Sequence, residues 1–202
     1  MIRRAIQMSP LEVREADEVT DTVKAAALGS AAFRETHAEI LEARVVEAIV
    51  SQIYTEESIY RSISACRDVS TAFFLVAHRG ARLVGFLEYD ERGDEPELRR
   101  LYVHPDQKRS GIGSALLRAL KERLPSDGRY RVTVSAKNMP AIRFYERHGF
   151  HETGRATQLY PGVDLPPEAQ PGEVVFLDSP APSTSKPQPH TGRNDPGQEA
   201  RT

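Results

Sequence analysis

The chain has 202 residues, with 27 Lys and Arg against 29 Asp and Glu, and a formal net charge of −2. Its length fits one ordinary domain, or one domain with a tail, and 39% apolar with 28% charged residues is the balance of a globular chain. The near-neutral charge excludes a general attraction to nucleic acid or anionic membrane, and the single cysteine, Cys66, excludes an internal disulfide and a thiolate zinc cluster.

At the start, Arg3 and Arg4 are followed by no apolar run, so no secretory signal is read. Nothing approaches the roughly 18 apolar residues that span a bilayer, and a reducing cytoplasm is the expected compartment. Ile2 to Ile6 is a strand candidate, followed by a turn at Ser9-Pro10. From Val19 to about Arg67 apolar residues recur at Val23, Ala27, Ala31, Ile40, Ala43, Val46, Ile49 and Ile53. That periodicity predicts two or three helices, with breaks near Gly29 and Thr55. Cys66 reads as a small buried hydrophobe at the end of this region. Phe73–Ala77, the turn His78-Arg79-Gly80 and Leu83–Leu87 form a hairpin, with His78 and His104 read as turn residues. The segment from Glu88 to Glu97 (EYDERGDEPE) sets six acids against Arg92, the composition of a solvated turn.

Next comes LRRLYVHPDQKRSGIGSALLRAL, residues 98–120: a buried strand stopped at Pro105, a basic glycine-containing turn, and a helix that begins at once. Backbone N–H groups of Ser110, Gly111, Ile112, Gly113 and Ser114 lack partners in the first helical turn, and the positive end of the helix dipole points the same way. Gly111 and Gly113 admit close approach, Lys108 and Arg109 add charge, and phosphate is the expected ligand. Within the strand, Arg99 and Arg100 separate the inward residues Leu98 and Leu101, where a regular strand allows one outward residue. That phase slip is the trace of a β-bulge.

After the helix, Tyr130, Val132 and Val134 alternate with polar residues as a one-faced strand. Asn138 caps a short helix closed by Gly149. A further strand ends near Tyr160, and Glu173 to Asp178 is the last; the loop PGVDLPPEAQPG between them is irregular. From Ser179 the chain is polar, Pro-rich and short of bulky apolar residues. The expectation is therefore one domain over 1–178 and a disordered tail over 179–202. The order of elements predicts an α+β or mixed α/β architecture with helices on both faces of a sheet.

Gly-x-Gly at a helix start is weak alone. A P-loop needs Lys before the Ser that follows its last Gly, and Ser114 follows Gly113 directly; a dinucleotide turn needs a third Gly where Leu116 stands. The stretch 98–120, together with NMPAIRFYERHGF at 138–150, resembles the GNAT superfamily of acyl-CoA-dependent N-acetyltransferases over roughly Ile2 to Asp178. The resemblance implies the α+β GNAT fold, a mixed, mostly antiparallel sheet flanked by helices on both faces. It implies acetyl-CoA as acyl donor, with no metal, its pyrophosphate on the turn Lys108–Ser114. Lys108 stands where the family usually has Arg or Gln, keeping charge but losing bidentate geometry.

Further roles follow only from the resemblance. Backbone N–H groups of Leu101, Tyr102 and Val103 would hold the thioester carbonyl and the pantetheine arm. Tyr145 would hydrogen-bond the departing sulfur, and the Asn138 side chain would contact cofactor or substrate while capping its helix. Glu97 matches the position many members use as general base, with Glu88 second. Peptide-acetylating members carry Glu where this chain has Thr133, which argues against a ribosomal-protein acetylase of that type. The acceptor is expected to be a small-molecule or peptide amine, attacked directly, with no nucleic-acid or membrane partner. An acidic run bordering the slot would favour a cationic amine, and the family often forms homodimers. Two other readings stay open: a non-catalytic acyl-CoA-binding regulatory module, and a nucleotide-binding domain using the same turn.

Overall fold

The computed structural model describes residues 9–67, 69–125, 128–158, 160 and 162–180. The strand expected at Ile2–Ile6 lies outside them. The first described strand is β1, Leu11–Glu15, in which Leu11 and Val13 alternate with charged residues, a short strand signal that the adjacent Ser9-Pro10 turn obscures. Helices α1 (Glu18–His37), α2 (Ala43–Ile53) and α3 (Glu56–Cys66) follow. Asp17 and Thr55 cap α1 and α3 by accepting from backbone N–H groups of the first turn.

The chain breaks after His37, not near Gly29, which sits inside α1. Packing explains the glycine: a Cβ there would lie 2.6 Å from Tyr54 Cδ1. Helix propensity is given up so that the Tyr54 ring can lie against α1.

Strands β2 (Ala72–Arg79) and β3 (Arg82–Asp90) make the expected hairpin, followed by β4 (Glu97–Val103) and a short 3-10 turn, Pro105–Gln107. Helix α4 (Ile112–Lys121), β5 (Arg131–Ser135), α5 (Met139–Arg147), β6 (His151–Gln158) and β7 (Gly172–Asp178) complete the domain. His78 is not in a turn: it lies in β2, buried, with Nε2 3.0 Å from Asp21 Oδ1. Asp21 also accepts from Arg14 Nη1 at 2.7 Å and from the Asp17 N–H at 2.9 Å, which fastens the start of α1 to the sheet. Burial alone would raise the Asp21 pKa, but the Arg14 and backbone bonds win and hold it below the usual carboxylate range.

Among the described residues seven strands form one sheet in the order β1-β2-β3-β4-β5-β7-β6. Every neighbouring pair is antiparallel except β4–β5, which is parallel and matched only at Glu97 and Arg131. The expected bulge is present. Tyr89 pairs with Leu98 and Glu88 with Arg100, so Arg99 is the extra residue of β4.

Both faces are covered. Leu75, Leu87, Leu98 and Val132 pack beneath α4 and α5, against Leu116, Leu120 and Ile142. Phe74, Val76 and Phe86 pack beneath α1–α3, against Phe33, Ile49 and Ile59. Ser179 and Pro180, expected in the tail, belong to the domain: Ser179 is buried, its N–H donates to Tyr130 O and its Oγ accepts from Tyr130 N–H. The rest of the expected tail, 181–202, lies outside the described residues. No described helix is long and apolar enough to cross a membrane.

Gly29→Val should lower stability by about 1–3 kcal/mol through overpacking against Tyr54. Urea unfolding monitored by circular dichroism checks this, and an unchanged midpoint would contradict the packing role.

Candidate active site

The site starts from a strand pair that separates. Beyond the rung at Glu97 and Arg131, β4 and β5 share no matched residues, so a slot opens between them. Its β4 wall is set by register. His104 N–H donates to Val84 O at 2.9 Å and Val103 is opposite Gly85. In an antiparallel ladder this turns the backbone polar groups of Tyr102 toward β3 and those of Leu101 and Val103 toward the slot. Leu101 and Val103 therefore offer N–H groups there. Tyr102 does not. Its contribution is a side chain on the α1–α3 face, where its hydroxyl lies 2.6 Å from that of Tyr54.

At the C-terminal end of β4 the chain forms a cradle. Arg109 has φ 62° and Gly111 φ 82°, two left-handed residues flanking Ser110. This arrangement turns successive N–H groups to one side, the geometry of an anion nest. The first helical bond of α4 runs from Ala115 N–H to Gly111 O at 3.0 Å. Among the described residues the N–H groups of Ser110, Gly111, Ile112, Gly113 and Ser114 donate to no backbone carbonyl. A Cβ on Gly111 would meet nothing within 4 Å, so its space is open to a ligand.

Gly113 has a different reason: its Cβ would lie 3.0 Å from Phe144 Cζ, so it is small to let α5 pack on α4. The Ser114 side chain is likewise engaged, 2.9 Å from His148 Nε2, while His148 Nδ1 lies 2.8 Å from Phe144 O. Lys108 Nζ pairs with Glu35 of α1 at 2.7 Å, an acid from outside the turn that no local reading could supply. Both side chains are well exposed, so a surface pair of this kind yields readily to a phosphate.

On the α4–α5 face, Tyr145 is buried between Phe144 and Phe150, with ring centroids 5.2 Å away in each case. Burial, with the neighbouring Tyr102 and Tyr130, pushes its phenol well above the ordinary value. Tyr145 is therefore a neutral hydroxyl at physiological pH. Asn138 caps α5, its Oδ1 accepting from Ala141 N–H at 3.3 Å.

The two carboxylates differ. Glu97 is half-exposed at the closed end of the slot, loosely held by Thr133 Oγ1 at 3.4 Å and Arg99 Nε at 3.8 Å. Glu88 lies under α3, its Oε2 fully buried, with Arg100 Nη1 3.0 Å away but off the angle of a hydrogen bond. The acidic run is not a bare negative surface. Asp90 bonds Arg92 at 2.8 Å and pairs with Arg99 at 3.4 Å, and Glu95 pairs with Arg131. Sequence reasoning missed Tyr54, Glu35 and His148, all brought to the site from other elements. Only His148, inside the 138–150 motif, left a local signal.

Residues 30–165 match the family model described as an acetyltransferase (GNAT) domain. Spermidine N(1)-acetyltransferase of Thermoplasma acidophilum is 27% identical over 117 residues, 57% of this chain and 73% of that protein. The ribosomal protein bS18-alanine N-acetyltransferase of Escherichia coli is 38% identical over 73 residues, 35% of this chain and 49% of that one. The PaiA N-acetyltransferase of Thermoplasma acidophilum, solved with coenzyme A, superposes with a TM-score of 0.69 at 20% identity, covering 85% of this chain and 99% of the other. At that identity the likeness establishes the fold.

Gly111→Glu should abolish binding of coenzyme A, because it places bulk and negative charge in the open space of the cradle. Titration calorimetry checks this, and unchanged affinity would remove the turn from the site.

Proposed function

The chain belongs to the GNAT acetyltransferase family and is an N-acetyltransferase of that type; from this premise we propose that it transfers acetyl from acetyl-CoA to the primary amine of a small molecule or peptide by direct attack. The observation that carries the reading is the slot between β4 and β5, open from a single rung, with an anion cradle at one end.

The residues fit the acyl donor. Gly111 leaves the cradle open, and the unpaired N–H groups at 110–114 with Lys108 and Arg109 suit a pyrophosphate. Acetyl-CoA supplies the activated acyl group as a thioester. Leu101 and Val103 N–H groups, held by the β3 ladder, donate to the carbonyl oxygen as negative charge develops on it, each fixed donor contributing about 3 kcal/mol. A phenol near 10 is a weaker acid than a thiol near 8.5, so full transfer from Tyr145 would run uphill. Its hydroxyl instead hydrogen-bonds the departing sulfur.

Glu97 is favoured over Glu88 as base on access, because Glu88 is sealed under α3 by Arg100. An ordinary carboxylate lies about 6 pKa units below an ammonium, so Glu97 receives the proton through water or from an amine that arrives neutral. Cys66 supports attack without a covalent enzyme intermediate: burial pushes its thiol up to about 12, leaving almost no thiolate at neutral pH. The ribosomal-protein relative suggests a peptide acceptor and the spermidine relative a small amine. Thr133, where peptide-acetylating members carry Glu, favours the small amine.

Tyr145→Phe should lower kcat by about 10- to 100-fold, the worth of a hydrogen bond to a charged group, with little change in KM for acetyl-CoA. Steady-state release of free CoA from a panel of primary amines measures this, and an unaltered kcat would assign Tyr145 to packing. Glu97→Gln should depress kcat/KM by about 100-fold or more, the worth of a positioned general base. An unchanged kcat/KM would place the base elsewhere.

A further inference from the structure

The bulge at Arg99 also changes which side chains share a face of the sheet. Without it, alternation would put Glu97 and Arg100 on opposite faces of β4. With Arg99 as the extra residue, Glu97 stands opposite Asp90 and Arg100 opposite Glu88, so both point to the α1–α3 face, two rungs apart. Two rungs are about 7 Å along a strand. That span leaves room for one water between the Glu97 carboxylate and the amine of an acceptor whose own carboxylate is held at Arg100.

This face is the one an acceptor must use. The other is closed by α4 and α5, whose side chains pack on Leu98, Leu101 and Val103. On the open side Arg100 keeps donors in reserve. Its Nη1 faces Glu88 at 3.0 Å and Ser62 Oγ at 3.4 Å, and its guanidinium lies 5.5 Å above the Tyr54 ring. Among the described residues its Nε and Nη2 make no protein hydrogen bond, and 16% of the side chain is exposed. The Glu97 carboxylate, with contacts of 3.4 and 3.8 Å only, is free to accept. The surrounding charge is balanced: Glu88, Asp90 and Glu97 face Arg92, Arg99 and Arg100. A polycation would need an excess of acid, which is not there.

We infer that the acceptor is a free α-amino acid, its carboxylate held on the open edge of the Arg100 guanidinium and its amine turned toward the thioester, one water from Glu97. The inference rests on the acetyl-transfer reading for the position of the thioester, and it assigns to Arg100 the discrimination between acceptors. Arg100 is suited to this because its planar edge takes both carboxylate oxygens at once.

The test uses the full chain saturated with CoA and matched probes: L-lysine against cadaverine, L-arginine against agmatine, L-phenylalanine against phenethylamine, with spermidine as a polycation. Dissociation constants from calorimetry should favour the carboxylate-bearing member of at least one pair by tenfold or more. With acetyl-CoA, kcat/KM should follow the same order. Arg100→Gln should bring that ratio to within twofold. Because it strands Glu88, the double variant Arg100→Gln, Glu88→Gln provides a folded comparison and should lose the preference equally. Amines bound as tightly as their amino acids, spermidine bound best, or a preference surviving in the double variant would each overturn the inference. Amino acids that bind yet release no CoA from acetyl-CoA would count against the transfer reading while leaving Arg100's role standing.

Discussion

The structure depends on one constraint: β4 and β5 run parallel yet share a single rung, at Glu97 and Arg131. A sheet gains stability by continuing its ladder, so two neighbouring strands that diverge must be held apart. Here the force comes from both sides. The Arg99 bulge bends β4 away while β3 keeps its inner edge paired, and β7 fixes β5 along its whole length, from Arg131 opposite Asp178 to Ser135 opposite Val174. The unpaired edge groups of Leu101 and Val103 follow from that geometry. Unpaired polar groups are costly when buried, and a ligand with amides of its own relieves that cost.

Much of this is legible in the sequence because it is encoded locally. The Arg99-Arg100 pair betrays the bulge, and the glycines and basic residues before α4 betray the cradle. Asn138, Phe144 and Tyr145 mark the second helix. What cannot be read is encoded by contact at a distance. Gly29 looks like a break because its reason, the Tyr54 ring, lies 25 residues on. His78 looks like a turn residue until Asp21 and Arg14 gather around it. The acidic run looks like a negative surface when charge is counted along the chain and not across the ladder, where Arg99 and Arg100 offset it. Gly113 suggests ligand approach, yet Phe144 of α5 explains it.

The sheet also divides labour between its faces. The α4–α5 side is apolar and tightly filled, with Leu116, Leu120, Val175 and Leu177 fully buried, as suits a platform that must not move. The α1–α3 side carries the charged residues Glu88, Asp90 and Arg100, with the Tyr54–Tyr102 hydroxyl pair as its central tie. Burial pushes the Tyr54 phenol far up, so both hydroxyls stay protonated and the tie persists across the physiological range. Changes in α2 and α3 can therefore alter that side while the α4–α5 platform stays in place.

The contact between α4 and α5 has a mechanical consequence. Gly113 lets Phe144 seat on the first turn of α4, and the Ser114–His148 bond fixes the last turn of α5 to the same place. The helix that presents the cradle and the helix that carries Tyr145 are therefore one lever. Under the proposed assignment, the nucleotide portion of the donor would therefore be seated on the same rigid pair of helices that carries the phenol.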